Sequence, residues 1–305
     1  MEWFTVRPLV FTWWNTGLSP PITRIKATSD DIKFVAEQIA MMRRDHRFTV
    51  LGLCEVQASD LNIIMEKVAD PDLSLLDFSD RTGALKYDTA LIYDRTVLTY
   101  IDKKSFVERF GKRAMKLGEL AMFATSEEGQ AIRVVVSHWP SRQTVSEHES
   151  RKAELGSLLR QSLNRLSAGE VDPHIVLMGD YNDDPFSPSL SGHLLATRDR
   201  ELARRDSRFF YNPFWRCLGE SRFTSTPADP SVCGTHYYAN GNETEWFTYD
   251  QIIFSSAFLA DGPITLDEEH TRILVSAELK GRIHSKSQTC DHLPVTSVAT
   301  LRRKS

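Results

Sequence analysis

The chain has 305 residues, 41% hydrophobic and 26% charged, with a formal net charge of −4. These values describe a soluble globular protein with a sizeable core. They exclude a globally basic nucleic-acid binder, so any contact with a polyanion has to use a local basic surface.

The first residues, "MEWFTVRPLVFTWWNTG", have no basic n-region, long apolar core or small-residue cleavage site, and no signal peptide is expected. No segment approaches the roughly 18–20 apolar residues of a membrane span. Cys54, Cys217, Cys233 and Cys290 lack CxxC spacing. Neither a cysteine zinc site nor a disulfide scaffold is expected at this length, and Cys54 reads as core. The localisation expected is cytoplasmic.

The first strand is expected over Leu9–Trp14, rich in β-branched and aromatic residues. Ser29-Asp30-Asp31 starts a helix, with Ile32, Val35, Ile39 and Met42 on one face. Strand Phe48–Cys54 follows. A second helix begins at Ser59-Asp60, with Leu61, Ile64 and Val68 inward. Four strands come next: Thr89–Tyr93, Val97–Ile101, Leu120–Ala124 and Ile132–Ser137. A third helix over Glu147–Leu166 carries Leu155, Leu159 and Leu166 on one stripe. Strand His174–Met178 leads to a short helix after Ser187-Pro188. Strands Phe247–Phe254, Ile273–Ala277 and Val295–Leu301 complete the chain. Strands with interspersed helices and no linker predict one domain over residues 1–305. The simplest architecture is two packed sheets with helices on their outer faces.

Apolar strands repeatedly run into polar residues of catalytic type. "VFTWWN" ends in Asn15, "VLGLCE" in Glu55 and "RVVVSH" in His138. "IVLMGDYN" delivers Asp180 and Asn182, which alternate with Tyr181 and so project to one side of an extended strand. "TYDQIIF" places Asp250 at a strand start, and "CDHLPV" places Asp291-His292 just before one. Singly, each has a bland reading as a turn residue, a solvated strand end, an Asx-turn or an ion-pair partner. Their joint recurrence points instead to strand ends meeting at a cleft.

The set is chemically coherent. Glu55 and Asp291, with Asn15 nearby, suit a hard Mg²⁺ or Mn²⁺ ion. Such a metal, with Asn and His donors, neutralises charge on a phosphoryl group under attack. Asp180 is placed to accept a proton from water that Asn182 holds, and Asp250 to orient a cationic His292.

The ordered motifs "WWNTG", "LCEV", "SHWPSR", "MGDYNDDPFSPS", "YDQIIFS" and "CDHLPV" resemble the endonuclease/exonuclease/phosphatase superfamily, the deoxyribonuclease I-like enzymes, over about residues 8–301. The resemblance implies a four-layered α/β sandwich: two mostly antiparallel β-sheets face to face, flanked by helices. It implies a divalent-metal-dependent phosphodiester hydrolase that leaves a 5′-phosphate. By position, Asn15 and Glu55 would contact metal or phosphate, and Asp291 would join the metal network. Asp180 would activate water, Asn182 would position it, Asp250 and His292 would pair, and His138 would be the second active-site histidine. Asp88, in "KYDTALIYD", is a candidate partner for His138; its alternative is a strand-entry turn.

Substrate is less legible. The "QTCDHLP" segment carries His292 where the resembled inositol-polyphosphate 5-phosphatases have arginine, which disfavours that branch. "SHWPSR" offers Arg142 as a phosphate clamp or as a surface ion-pair partner. Tyr237, Tyr238 and Trp246 offer base-stacking faces or a hairpin with cross-strand aromatic pairs. Two basic stretches are candidates for backbone tracking or for solvated faces. One holds Lys103, Lys104, Arg109, Lys112, Arg113 and Lys116; the other holds Arg198, Arg200, Arg204, Arg205 and Arg208. The expectation is a nuclease, most simply an endonuclease, cleaving DNA and/or RNA. The alternative is a phosphodiesterase or phosphatase acting on phospholipid head groups, inositol phosphates or protein–nucleic-acid adducts.

Overall fold

The computed structural model describes residues 5–20, 27–79, 81–82, 85–86, 88–110, 113–141, 145–169, 172–219, 232–241, 244–285 and 289–303. A six-stranded sheet has the spatial order Ile264–Ile273, Val295–Arg303, Thr5–Asn15, Val50–Cys54, Thr89–Asp94, Leu73–Asp77. A seven-stranded sheet has the order Ala196–Thr197, Phe210–Tyr211, Asp250–Ser255, Ile175–Asp180, Ala131–His138, Arg113–Thr125, Leu98–Phe110. Most neighbours are antiparallel. In each sheet one parallel pair carries site residues: Asn15 sits beside Cys54, and Asp180 beside His138.

Alternation along the strands builds the layers. Leu9, Phe11 and Trp13 face the second sheet and pack in one core with Val134, Val136, Val176, Met178, Ile252 and Phe254. Val10 and Trp14 face the other way, into a core with Val35, Ile39, Leu61 and Ile64. Those residues come from the helices Ser29–His46 and Ala58–Val68. On the outer face of the second sheet, Val135, Leu177 and Ile253 pack with Leu155, Leu159 and Leu163 of the Val145–Leu166 helix. Helix, sheet, sheet and helix form the expected four layers. The central strands Val50–Cys54 and Ile175–Asp180 are buried throughout, which explains their unbroken apolar sequences.

Several elements differ from expectation. Val97–Ile101 and Leu120–Ala124 are fragments of two long paired strands, Leu98–Phe110 and Arg113–Thr125. Cross-strand pairing carries these strands through polar sequence that shows little period-two signal. Phe247–Phe254 divides into Trp246–Phe247, paired with His236–Tyr237, and Asp250–Ser255. The expected strand Ile273–Ala277 is displaced. Ile264–Ile273 is the strand, and Ser276 then caps a short helix over Ala277–Ile283 by accepting from the Leu279 N–H. Ser187-Pro188 leads to one π-helical turn over Ser189–His193 rather than to an α-helix. Arg200–Arg205, read only as part of a basic stretch, is a helix capped by Asp199.

Candidate active site

The site lies where the C-terminal ends of the two parallel pairs meet. Asn15 ends one strand, and Glu55 follows its neighbour in the left-handed region at φ 55°. The Asn15 side-chain N–H₂ donates to Glu55 Oε1 at 3.3 Å and to Asp180 Oδ2 at 2.9 Å, while its Oδ1 accepts from the Gly17 N–H. Asn15 thus spaces two carboxylates that belong to different sheets. Gly17, at φ +64°, lies against Cys290; a Cβ there would stand 2.9 Å from the Cys290 nitrogen. That close approach brings the Asp291-His292 segment to the end of the first strand.

Asp180 is the focus of the cleft. Its Oδ1 accepts the Asn182 backbone N–H at 2.8 Å, and its Oδ2 lies 3.8 Å from His292 Nε2 and 4.0 Å from His138 Nε2. The extended alternation expected through Asn182 does not hold: the strand ends at Asp180, and Asn182, at φ 50°, donates its side-chain N–H₂ to the Trp139 carbonyl while Lys152 holds its backbone carbonyl. Lys152 also pairs with Asp183 at 3.2 Å. Asp183 and Asp184 fasten the turn that leaves the site: Gln251 donates to the Asp183 carbonyl, and Asp184 Oδ1 accepts from the Thr248 N–H.

Both imidazoles are backed by carboxylates. His138 Nδ1 lies 2.8 Å from Asp88 Oδ2, and Lys116 approaches the same carboxylate at 3.5 Å. His292 Nδ1 lies 2.6 Å from Asp250 Oδ2. Asp250 is positioned by two partners, the Trp13 indole N–H at 2.9 Å and Thr235, whose hydroxyl accepts the Asp250 N–H at 3.1 Å. Gly52 lets Trp13 lie this way, because a Cβ there would stand 2.6 Å from the indole ring.

Burial works against charge throughout the cleft, and pairing decides where charge stays. Burial, with Asp291 and Asp180 nearby, lifts the Glu55 carboxyl to about 7 despite the opposing pull of His138. Burial would depress His138, but Asp88 overrides it and holds the imidazole at about 9. His292 is likewise buried, and Asp250 and Asp180 keep it well above the usual histidine range. Asp180, though buried, is held below the usual carboxylate range by His292 and His138. The arrangement sets Asp180, held toward its anionic form, between two imidazoles held toward their cationic forms. Glu55 and Asp291 add oxygen donors, and a divalent cation beside Glu55 would offset both its burial and the nearby charges of Asp291 and Asp180. Carboxylate oxygens of this kind are donors that would suit a hard divalent ion.

The expected strand-end residues converge here; Arg142, the candidate phosphate clamp of the following loop, lies outside the described residues. Asp88 is the His138 partner and not merely a turn residue. Tyr237 and Trp246 pair across a hairpin with ring centroids 5.2 Å apart, the structural alternative to base stacking, and Tyr238 is exposed. Of the first basic stretch, Lys103 lies over the Phe78 ring, and Lys116 turns toward Asp88. In the second, Arg200, Arg204 and Arg208 pair with Glu268, Glu201 and Asp206, and Arg198 stacks on Trp215. Sequence reasoning missed Lys152 and His236. Lys152 falls on the same stripe as Leu155 and Leu159, and a lysine on a buried helix face was the available signal. His236 stands beside Thr235 in "GTHYY", and its ring lies 4.3 Å from that of His292.

The site therefore sets an acid between two imidazoles, beside further oxygen donors, at the common rim of two stacked sheets. The chain belongs to the Endonuclease/Exonuclease/phosphatase family, whose profile matches residues 23–274. Among solved structures, a family member from Bacteroides thetaiotaomicron is 16% identical with a TM-score of 0.63, covering 98% of this chain and 96% of its own. A mannosyl-6-phosphatase from the same organism is 15% identical with a TM-score of 0.60, covering 95% and 99%. TDP2 from D. rerio, in complex with a single-strand DNA product, is 14% identical with a TM-score of 0.60, covering 96% and 98%. At these identities the likeness is one of fold. No curated protein sequence matches, and no helix among the described residues is long and apolar enough to cross a membrane.

Proposed function

We propose that the chain is a Mg²⁺- or Mn²⁺-dependent phosphodiester hydrolase that cleaves DNA or RNA, with residues 1–305 acting as one catalytic domain. The observation that carries this reading is the Asp180 carboxylate, 3.8 and 4.0 Å from two imidazoles that each have their own acid behind them. Asp180 accepts a proton as water oxygen bonds to phosphorus, and Asn182 holds that water in line. Cationic His138 and His292 donate hydrogen bonds to phosphate oxygens, and one of them protonates the leaving oxygen as its bond to phosphorus breaks. Asp88 and Asp250 keep both rings oriented and charged. Glu55, Asp291 and Asn15 would hold the metal, which would supply charge neutralisation at the phosphoryl group. Arg142 is the candidate phosphate clamp.

The test compares plasmid, single-stranded DNA, RNA and small phosphoesters with Mg²⁺, with Mn²⁺ and with EDTA. Turnover should require the metal, favour a nucleic acid, and be abolished by Asp180→Ala and by His292→Ala. Full activity of either variant overturns these catalytic roles.

One observation favours a second reading, a phosphatase or phosphodiesterase acting on phospholipid head groups, inositol phosphates or protein–nucleic-acid adducts. Arg198, Arg200, Arg204 and Arg208 of the 198–208 stretch are engaged with nearby acids or an aromatic ring, and Arg205 with the Glu201 carbonyl, which weakens that surface as a track for a polyanion. The similar mannosyl-6-phosphatase illustrates a monoester substrate on this fold. Preference for small esters over all three nucleic acids would select this reading.

A further inference from the structure

His236 and His292 stand side by side at the mouth of the cleft. Their ring centroids are 4.3 Å apart with an interplanar angle of 34°, and their backbones form an antiparallel bridge. Thr235 holds this register: its carbonyl accepts the Leu293 N–H at 2.7 Å, while its hydroxyl accepts the Asp250 N–H. The pairing is thus fixed from both sides of the cleft.

Both rings are anchored through the same nitrogen. His292 Nδ1–H donates to Asp250 Oδ2 at 2.6 Å, and His236 Nδ1–H donates to the Asp291 carbonyl at 3.1 Å. With the proton on Nδ1, the neutral form of each ring carries its lone pair on Nε2. Histidines that bind metals in proteins have this outer arrangement, one nitrogen donating to a carboxylate or carbonyl and the other free for the ion. The third donor is present as well. One nitrogen from each ring and one carboxylate oxygen of Asp291 lie within 4.8 Å of one another, and Asp291 Oδ2 stands 3.9 Å from His236 Nδ1, so a small turn of the Asp291 side chain brings it to the Nε2 side. The Asp291 side chain is 56% exposed, which leaves an entry path. Two imidazoles and one carboxylate match zinc and its borderline neighbours better than Mg²⁺, which prefers oxygen donors alone.

We propose that His236, Asp291 and His292 bind Zn²⁺ or a similar borderline divalent ion, and that this ion inhibits the hydrolase. Inhibition follows because the ion displaces the proton of His292 Nε2, released to solvent, and takes the atom that faces Asp180. The site differs in donor type from the oxygen-lined position of Glu55 and Asn15, and Asp291 is common to both. Zinc and the activating hard ion therefore compete. The inhibitory half rests on the proposed hydrolase function; the binding half does not.

The test begins without substrate. Metal-free protein is titrated with Zn²⁺ by calorimetry and with Co²⁺ by visible absorption. One equivalent of Zn²⁺ should bind, and Co²⁺ should give the d–d bands of a nitrogen-coordinated ion. His236→Phe keeps an aromatic ring beside His292, and thermal unfolding checks that it folds. Its Zn²⁺ affinity should fall by more than the roughly 10-fold that loss of an outer hydrogen bond produces. His236→Asn serves as a second variant with the same expected loss. No saturable Zn²⁺ binding by the wild type, or undiminished affinity in the folded His236 variants, overturns the site. With Mg²⁺ turnover as the readout, Zn²⁺ should inhibit at the concentration set by its calorimetric Kd. Binding without inhibition overturns the inhibitory half. Absence of any phosphoester turnover counts instead against the proposed function and leaves the binding titration decisive for the site.

Discussion

His138 Nδ1 lies 2.8 Å from Asp88 Oδ2, across 50 positions of sequence and across the seam between the two sheets. Asp88 immediately precedes the Thr89–Asp94 strand of the first sheet, while His138 ends a strand of the second. The contact orients the imidazole so that Nε2 faces Glu55 and Asp180. Asp88→Asn keeps the shape and removes the charge. It should lower kcat by roughly 10²-fold with little change in KM, as expected for an orienting acid behind a catalytic imidazole. Steady-state kinetics on the most active substrate checks this.

His292→Ala removes the second imidazole and should lower kcat by roughly 10²- to 10⁴-fold. Asp250→Asn should give a smaller loss, because the ring stays in place while the charge that favours its cationic form is gone. Equal activity of the two variants would show that Asp250 contributes as much as the ring itself. Single-turnover rates at saturating metal separate these effects from substrate binding.

Lys152 is buried and holds both the Asn182 carbonyl and the Asp183 carboxylate. Lys152→Met leaves a buried carboxylate without this cation, a change worth about 3 kcal/mol of stability. Urea unfolding should show that loss, and kcat should fall because the turn carrying Asn182 is no longer fixed. Adding Asp183→Asn to Lys152→Met should recover part of the stability, since the uncompensated charge is then removed.

Gly17→Ala places a side chain at φ +64° and a Cβ 2.9 Å from the Cys290 backbone nitrogen. The left-handed conformation alone costs about 1–2 kcal/mol for a non-glycine residue. The displaced segment carries Asp291, so the variant should need more Mg²⁺ for half-maximal turnover. A metal titration of activity, alongside a thermal melt, measures both consequences.

Asp31 caps the Ser29–His46 helix with Thr28 and pairs with Arg282. Burial alone would raise its carboxyl, but hydrogen bonds from Thr28 and Arg282 outweigh it and hold the group below its ordinary value of 3.8. A depressed carboxylate contributes stability above its unfolded value and loses it as pH falls through the folded one. Asp31→Asn should therefore be less stable than wild type by about 1 kcal/mol at pH 7. The difference should close as pH drops below 3.8, as followed by unfolding at several pH values.

Local signals made most of this architecture legible. The unbroken apolar runs ending in Asn15, Glu55, His138 and Asp180 are legible because a strand buried on both faces has no polar alternation to blur it. The parallel pairs then carry those endings to one rim without further information. Ile264–Ile273 was missed because it is an edge strand with the polar run Asp267-Glu268-Glu269-His270 at its centre, where a register shift interrupts pairing. The long Leu98–Phe110 strand was cut short for a similar reason: Asp102, Lys103 and Lys104 belong to a solvated hairpin held by its partner. Lys152 and His236 are invisible to motif reading, since their placement depends on tertiary neighbours and not on spacing.

The two sheets are nested in the chain. The second is drawn from residues 98–255, while the first combines strands up to residue 94 with the two strands 264–273 and 295–303. Val295–Arg303 inserts between Ile264–Ile273 and Thr5–Asn15, and His292 arrives with it. During synthesis, Asn15, Glu55, His138 and Asp180 all leave the ribosome before Val295–Arg303, the strand that completes the first sheet. A nascent chain stalled before residue 291 holds most of the acids and neither Asp291 nor His292. Ribosome-bound fragments of increasing length should therefore stay inert until the last strand emerges, and then gain activity in one step.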